Sequence, residues 1–461
     1  MRPLLIFSVS ISLGLLHPPS QAETWQTLRY AAAPVDNPLK GLVPYQTDVR
    51  SRFPHSLEFN YLPYSGIVKG YDDFDWSRLE VMLDDIASRG HQAVLRIFLE
   101  YPGKQNVIPQ FLIDDGLTVH KYVNTNTHPL PPTDVETPDY EDPNLRRSLE
   151  QFLAAFGREY DGDPRIGFIT AGLLGTWGEW HTYPRTELFA SKTVQREVMS
   201  AYESAFKTTP ILLRYPAGKD HYATAKNADR GFGYHDDSFA WATLETGKKG
   251  DEWFYMTALR DAGANDKWKR YPIGGEIRPE AWGKVFDEQP GLPEIQDFRT
   301  CVRITHATWL MDSGMFATQQ TPQRIERAKE QVRRMGYEFH CPRVRIENLN
   351  DGKLNLALEI ENRGVAPFYY EWKAQWGLLR DGKVIKTFPA SGRLKELLPD
   401  DTPRRWSDSL DLSPVAGGNY VIAVKVPNPM PGGFSMRFAN ETQDADAVGW
   451  LSLGNVNVES R

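Results

Sequence analysis

The sequence predicts an α/β protein, a (β/α)8 TIM barrel followed by a C-terminal Ig-like β-sandwich. Between residues 37 and 336, short β-rich runs alternate with longer amphipathic stretches, as βα units around a parallel sheet require. Eight such runs fall within about 300 residues, the usual span of a closed eight-fold barrel. After Pro342 the pattern changes to short alternating strands separated by Gly, Asn, Asp and Pro turns, the signature of a sandwich.

Residues 1–22 are set aside first. Arg2, the apolar run 4–16 and the small residues Ser20 and Ala22 read as a secretory signal peptide, with a mature start at Glu23. The apolar run is short for a membrane span and no Cys follows it, so the expected product is periplasmic or secreted, with no membrane anchor. The barrel is assigned to 23–342 and the sandwich to 343–461.

The eight strands are expected at 41–45, 57–62, 93–100, 166–174, 211–215, 231–235, 273–276 and 302–310. The clearest helices fall at 76–89, 145–160, 193–208 and 322–335. In the first, Leu79, Met82, Leu83 and Ile86 recur at spacings of three and four, and Gly90 follows as a C′ residue. No G-x-G-x-x-G turn follows the first strand, which disfavours an open doubly wound sheet. The connection 102–143 is too long for a plain loop, and its stretch Pro129-Leu130-Pro131-Pro132 resists helix and sheet. A wall of a substrate cleft is the reading, with a surface insertion as the alternative. In the sandwich, strands are expected at 344–347, 354–360 and 420–426, and Arg380-Asp381-Gly382-Lys383 marks a hairpin. The sandwich is read as a brace for the barrel rather than as a binding module.

Charge and cysteines narrow the partners. The formal net charge of -7 becomes -8 once Arg2 leaves, and no basic stripe, P-loop or zinc-finger spacing stands against it, so no nucleic-acid partner is expected. Cys301 and Cys341 are the only cysteines, and export would place them in an oxidising compartment. With Cys301 before the last strand and Cys341 after the helix that follows it, a disulfide is expected. Two separate buried thiols are the alternative.

The chemistry is concentrated in two short motifs, GTWGEWH around Glu179 and YPIGGEIRP around Glu276. By strand count, Glu179 follows the fourth strand and Glu276 ends the seventh, so both belong to the rim where barrel enzymes carry their sites. A glycosidic bond needs a proton delivered to its leaving oxygen and a nucleophile or activated water at the anomeric carbon. Two carboxyl groups in different environments supply both, with retention expected at about 5–5.5 Å separation and inversion at about 6.5–9.5 Å. Buried carboxylates paired with Arg96 or Arg214 are the structural alternative.

Glutamates after strands four and seven resemble the arrangement of clan A (β/α)8 glycoside hydrolases. That resemblance implies Glu179 as acid/base and Glu276 as nucleophile or base. The segments NPLKGLVPY at 37–45, GTWGEWH, GGE and ENRGVAPFYY at 361–370 are similar to bacterial domain-of-unknown-function family 4832, which implies a glycosidase-like barrel with an Ig-like tail. One departure is plain: clan A enzymes usually carry Asn before the acid/base, and this chain has Gly178.

Around the pair, Trp177, Trp180 and Trp309 offer rings for sugar stacking, with core packing as the alternative. Tyr45, Arg96, Glu100, His181, Arg214 and Tyr215 complete the expected substrate pocket. His235-Asp236-Asp237 ends the sixth strand, with His235 and Asp236 as its candidates. A metal reading would join His235 and Asp236 to His181 or His306, but no close His pair supports it, and neither metal nor cofactor is expected. No G-x-S-x-G turn points to a serine nucleophile. The reading is an exported hydrolase of an oligo- or polysaccharide. A non-catalytic glycan-binding barrel and a metal-assisted deacetylase of glycans are the alternatives.

Overall fold

The computed structural model describes residues 24–45, 53–125, 131–219, 223–317, 319–349, 352–395 and 397–459. The expected signal peptide at 1–22 and part of the Pro-rich stretch, Pro129-Leu130, lie outside the described residues.

Eight parallel strands form the barrel: β1 (Gly41–Val43), β2 (Leu57–Pro63), β3 (Gln92–Phe98), β4 (Ile166–Thr170), β5 (Ile211–Leu213), β6 (Gly233–Phe239), β7 (Ile273–Ile277) and β8 (Ala307–Met311). They neighbour one another in the order β1-β8-β7-β6-β5-β4-β3-β2. A parallel bridge between Tyr45 and Phe59 joins the two ends, with the Phe59 N–H donating to the Pro44 carbonyl at 2.8 Å. The longer helices are α1 (Ser77–Ser88), α2 (Pro143–Tyr160), α3 (Lys192–Ala205), α4 (Tyr255–Asp261), α5 (Phe298–Thr305) and α6 (Pro322–Val332). Leu79, Met82, Leu83 and Ile86 of α1 are all buried, against Ala93, Leu95 and Ile97 of β3 among others. Each such side chain stabilises the barrel wall by about 1.5–3 kcal/mol. Among the described residues no helix is long and apolar enough to cross a membrane.

The last barrel strand differs from expectation. The run 302–310 is not one strand, because Asp297 caps a helix by accepting from the Thr300 N–H. Phe298, Cys301, Val302 and Thr305 then bury one face of α5 before His306, at φ 57°, ends it. The β-branched composition reads as a strand, but the cap and the three-four spacing decide for helix. The described residues of the connection 102–143, expected to be more than a plain loop, carry a short helix Gln110–Asp114 and an antiparallel pair, Val119–Asn124 with Thr133–Pro138.

Beyond the barrel, two four-stranded antiparallel sheets share one apolar core. The first holds β9 (Phe339–Asn348), β10 (Lys353–Asn362) and β13 (Arg404–Asp411), and is completed by Gln26–Thr27, which pairs with β9. The second holds β11 (Gln375–Arg380), β12 (Lys383–Pro389), β14 (Gly418–Lys425) and β15 (Leu451–Val458). Asp381 and Gly382, both at positive φ, make the predicted hairpin between β11 and β12.

These sheets lie under the strand-starting end of the barrel. Tyr370 donates to the Gly167 carbonyl at 2.5 Å, Tyr369 to that of Trp268 at 2.6 Å, and Tyr337 to that of Pro38 at 2.8 Å. The two outer segments that carried the family resemblance form this seam. Asn37 exchanges two hydrogen bonds with the Arg437 backbone, Lys40 donates to the Tyr337 carbonyl at 2.7 Å, and Asn362 links Glu338, Gly364, Ala366 and Leu397. The hydrophobic cluster runs without a break from Phe59, Val94, Phe168 and Trp309 inside the barrel to Leu356, Trp376 and Ile422 between the sheets. One end of the barrel is therefore covered, and the end carrying the strand C-termini is the mouth.

Cys301 and Cys341 are both free and buried, which corrects the expected disulfide. Cys301 sits on α5 in the cluster outside β8, and Cys341 lies on β9 in the shared core of the sheets. The expectation failed because it placed Cys301 at a strand start, whereas it belongs to the preceding helix.

Candidate active site

Strand alternation decides which side chains reach the mouth. Tyr61, Arg96 and Thr170 stand level on β2, β3 and β4, since Tyr61 pairs with Arg96 and Arg96 with Thr170. Below them Phe59, Val94, Phe168, Leu212 and Trp309 plug the interior. Trp309 is fully buried, 5.5 Å from the His235 ring and 5.9 Å from Phe168. A Cβ on Gly274 would strike Trp309 at 2.2 Å, so Gly274 is the space this indole fills. Trp309 thus plugs the barrel below the mouth and offers no ring face to a sugar, which corrects its assignment as a stacking platform.

Arg96 is the hub of the mouth and is 1 % exposed. Its Nε donates to Thr170 at 2.8 Å, and its Nη1 donates to Tyr61 Oη at 3.0 Å and to Glu179 Oε1 and the Trp177 carbonyl at 3.4 Å each. Its Nη2 lies 3.2 Å from His235 Nε2. A buried guanidinium is tolerated only with this density of acceptors.

The GTWGEWH segment brings Glu179 to this hub by a turn of left-handed residues: Gly175, Trp177, Gly178 and Trp180 have φ of 82°, 54°, 73° and 59°. Left-handed backbone at a tryptophan costs about 1–2 kcal/mol, and anchors on both sides offset it. The Trp180 indole N–H donates to the Ala171 carbonyl at 2.7 Å, Tyr140 Oη accepts from Gly175 N at 2.8 Å, and Thr176 N donates to the His181 carbonyl at 2.7 Å. Thr176 Oγ1 donates to Glu100, which is buried beneath the turn. Gly178 has no room for a side chain, since a Cβ would lie 2.4 Å from the Gly172 carbonyl oxygen. The asparagine common in clan A enzymes is therefore excluded here by geometry.

Two neighbouring carboxyl groups of the mouth, Glu179 and Asp237, are shifted in opposite directions. Burial, then the charge of Asp237, raises Glu179 well above the carboxylate range. Burial would lift Asp237 too, but the Arg214 guanidinium, donating to it at 2.6 Å, and a hydrogen bond with Glu179 hold it well below its usual value. Both shifts favour the proton of the pair on Glu179. Glu276 ends β7 at 7 % exposure, and burial pushes it up to about 8 despite the nearby Arg96. His181 accepts from Tyr183 N at Nδ1 (3.2 Å), so its Nε2 bears the proton and faces Glu179 Oε2 at 3.5 Å. Burial and the Arg214 charge hold His181 neutral, lowered to about 3.

Of the residues expected at the site, Arg96, Glu179, His181, Arg214, His235 and Glu276 come together. Tyr45 joins from the β1 end, its ring 5.9 Å from Tyr61, and Arg214 lies over the Tyr215 ring at 5.4 Å. Trp177 adjoins His181 at 6.3 Å, whereas Trp180 is a buried anchor. Glu100 is raised to about 7 by burial and supports the turn from below. Asp236 faces away from the interior, accepting from Thr243 Oγ1 at 2.6 Å and Ser238 N at 3.0 Å. The residues of the alternative metal reading are dispersed as well, for His306 stacks on Trp268 at 3.5 Å and reaches Val365 at the covered end.

Sequence reasoning missed Tyr61, Tyr101 and Thr170, and preferred Asp236 to Asp237. Period-two alternation from His235 would have selected Asp237, and alternation from Phe59 would have selected Tyr61. Tyr61 and Tyr101 meet edge to face at 5.7 Å and line the mouth beside Arg96. A larger hollow of about 830 Å³, lined by Lys69, Ile108, Phe111 and Lys121 among others, shares no residue with this site.

No protein-family profile matches the chain. No curated protein sequence matches it either. Among solved structures the chain is similar to endo-glycoceramidase II from Rhodococcus sp. at 10% identity, covering 84% of this chain and 100% of that one with a TM-score of 0.40. It is also similar to the catalytic domain of the β-amylase from Paenibacillus polymyxa at 10% identity, covering 65% and 99% with a TM-score of 0.42. An endoglucanase from Pseudomonas stutzeri matches at 12% identity, covering 60% and 81% with a TM-score of 0.33. At this remoteness the likeness assigns no activity, and the fold rests on the strand order itself: a (β/α)8 barrel with a polar, carboxyl-bearing mouth.

Proposed function

We propose that the protein is an exported glycoside hydrolase acting on an oligo- or polysaccharide, with Glu179 as proton donor and Glu276 as nucleophile or base. The observation that carries this reading is geometric: Glu179, on the turn that follows β4, and Glu276, near the end of β7, stand at one rim, with the buried Arg96 guanidinium donating to Glu179 at 3.4 Å. Two carboxyl groups at one rim, one giving a proton and the other acting in its ionised form, are the pair this chemistry needs. In hydrolysis, Glu179 gives its proton to the leaving glycosidic oxygen as the bond to the anomeric carbon breaks. Glu276, in the ionised form that gains ground as pH rises through about 8, attacks that carbon or takes a proton from the water that does. Asp237 is a positioning residue, too close to Glu179 to act on the opposite side of the bond. Tyr61, Tyr101 and Trp177 offer the aromatic faces.

The antiparallel sheets are read as an Ig-like sandwich bracing the barrel, in keeping with the resemblance to the uncharacterised bacterial family 4832. Mass spectrometry of products formed in H2(18)O tests the reaction class. One heavy oxygen at each new reducing end is expected, whereas unlabelled or unsaturated products would overturn hydrolysis, and binding without products would assign a glycan-binding barrel.

A further inference from the structure

At the covered end of the barrel, far along the strands from the carboxyl mouth, three metal-ligating side chains converge where β2 and β3 begin. We propose that His55, Glu58 and His91 bind one divalent transition-metal cation of the zinc type. One ligand atom from each lies within 4.8 Å of the others. His55 and His91 are each 8 % exposed and Glu58 is fully buried.

The tautomer of His55 is fixed by its neighbour. Its Nδ1 lies 2.9 Å from the Phe53 carbonyl, which can only accept, so Nδ1 carries the hydrogen and Nε2 presents a bare lone pair. That Nε2 is buried and has no hydrogen-bond partner. A backbone carbonyl on one ring nitrogen and a lone pair on the other is the usual arrangement of a histidine that ligates a metal.

The remaining donors adjoin it. His91 Nδ1 and Glu58 Oε1, 2.6 Å apart, are hydrogen-bonded, so an ion would take the place of their shared proton, and the Glu58 oxygens are held from outside by Arg89 Nε at 2.8 Å and Nη2 at 2.7 Å. Asp85 binds the same guanidinium at 2.9 Å and offsets its charge. Two imidazoles and a carboxylate suit zinc and its neighbours better than calcium or magnesium, and water completes a four-coordinate shell. The rings of Phe316, 5.0 Å from His55, and Phe434, 5.7 Å from His91, form an apolar shell. Phe434 comes from the segment between β14 and β15, so a bound ion would tie the barrel wall to a shell that the C-terminal region completes.

The test uses the full exported chain, stripped by chelator, dialysed, and titrated calorimetrically with ZnCl2. One equivalent per chain is expected, with a raised melting midpoint. His55→Phe and His91→Gln should each weaken binding by about 10–100-fold or more and cancel the thermal shift. His181→Gln, at the mouth, should bind as the wild type does. Wild-type affinity no greater than that of His55→Phe, or loss of binding in His181→Gln, would overturn the proposal. Should the variants misfold, the wild-type Co2+ complex decides: intense low-coordinate d–d bands are expected, and the spectrum of hexaaquo Co2+ would overturn the site. None of these readouts depends on glycosidase activity.

Discussion

Replacing Glu276 by Gln should make the protein more stable, by an amount that depends on pH. Burial holds the Glu276 carboxyl at about 8, against 4.5 for the unperturbed group. Between those values the folded state keeps a proton that the unfolded chain releases, so stability falls as pH rises through the window and levels off above it. At about 1.4 kcal/mol per pH unit, the loss is about 3 kcal/mol at pH 7 and at most about 5 kcal/mol above pH 8. Gln supplies a neutral group of the same shape and never incurs this loss. Urea unfolding of wild type and Glu276→Gln at pH 4, 7 and 8.5 should therefore show curves that coincide at pH 4 and separate progressively above it, with Gln the more stable. A difference independent of pH, or a Gln variant less stable at pH 8.5, would refute the reasoning. The same substitution should abolish cleavage, the trade-off expected where function maintains a destabilising group.

Three further outcomes follow from the same geometry. Asp237→Asn leaves the buried Arg214 without its carboxylate, at a cost of about 3–5 kcal/mol in denaturant unfolding. It also removes a charge that keeps Glu179 protonated, so the alkaline limb of the kcat/KM profile should move to lower pH. Gly178→Asn places a Cβ against the Gly172 carbonyl and should lower both the melting midpoint and the cleavage rate, although it restores the residue common in clan A enzymes. Denatured, unreduced protein should react with two equivalents of a thiol reagent, because Cys301 and Cys341 are separate free thiols.

The barrel was legible because each strand is a β-rich run between amphipathic helices, and helices such as Ser77–Ser88 follow the apolar spacing nearly to the residue. The eighth strand was misplaced because 302–305 is β-branched and apolar on a helix as well as on a strand. The cap at Asp297 and the three-four spacing that starts at Phe298 distinguish the two. The contribution of Gln26–Thr27 to the C-terminal sheet depends on a partner more than 300 residues away, which no local pattern encodes. At the mouth, Glu179 and Glu276 were picked out by their motifs and strand-end positions, and Arg96 by its place on the third strand. Asp237 was passed over because strand six was drawn to stop at His235, whereas it runs to Phe239 and puts Asp237 in phase with His235. Trp309 was read as a surface ring because sequence shows that it lies on a strand but not how deep, and depth is set by the missing side chain of Gly274 on the neighbouring strand.

The most direct test of the central claim is reducing-end release from a panel of bacterial and plant polysaccharides, comparing wild type, Glu179→Gln and Glu276→Gln at equal folded concentration. Cleavage of at least one polysaccharide by the wild type, reduced by about 100-fold or more in each variant, is the predicted result. Turnover in either variant equal to that of the wild type, or no cleavage across the whole panel by folded wild-type protein, would contradict it.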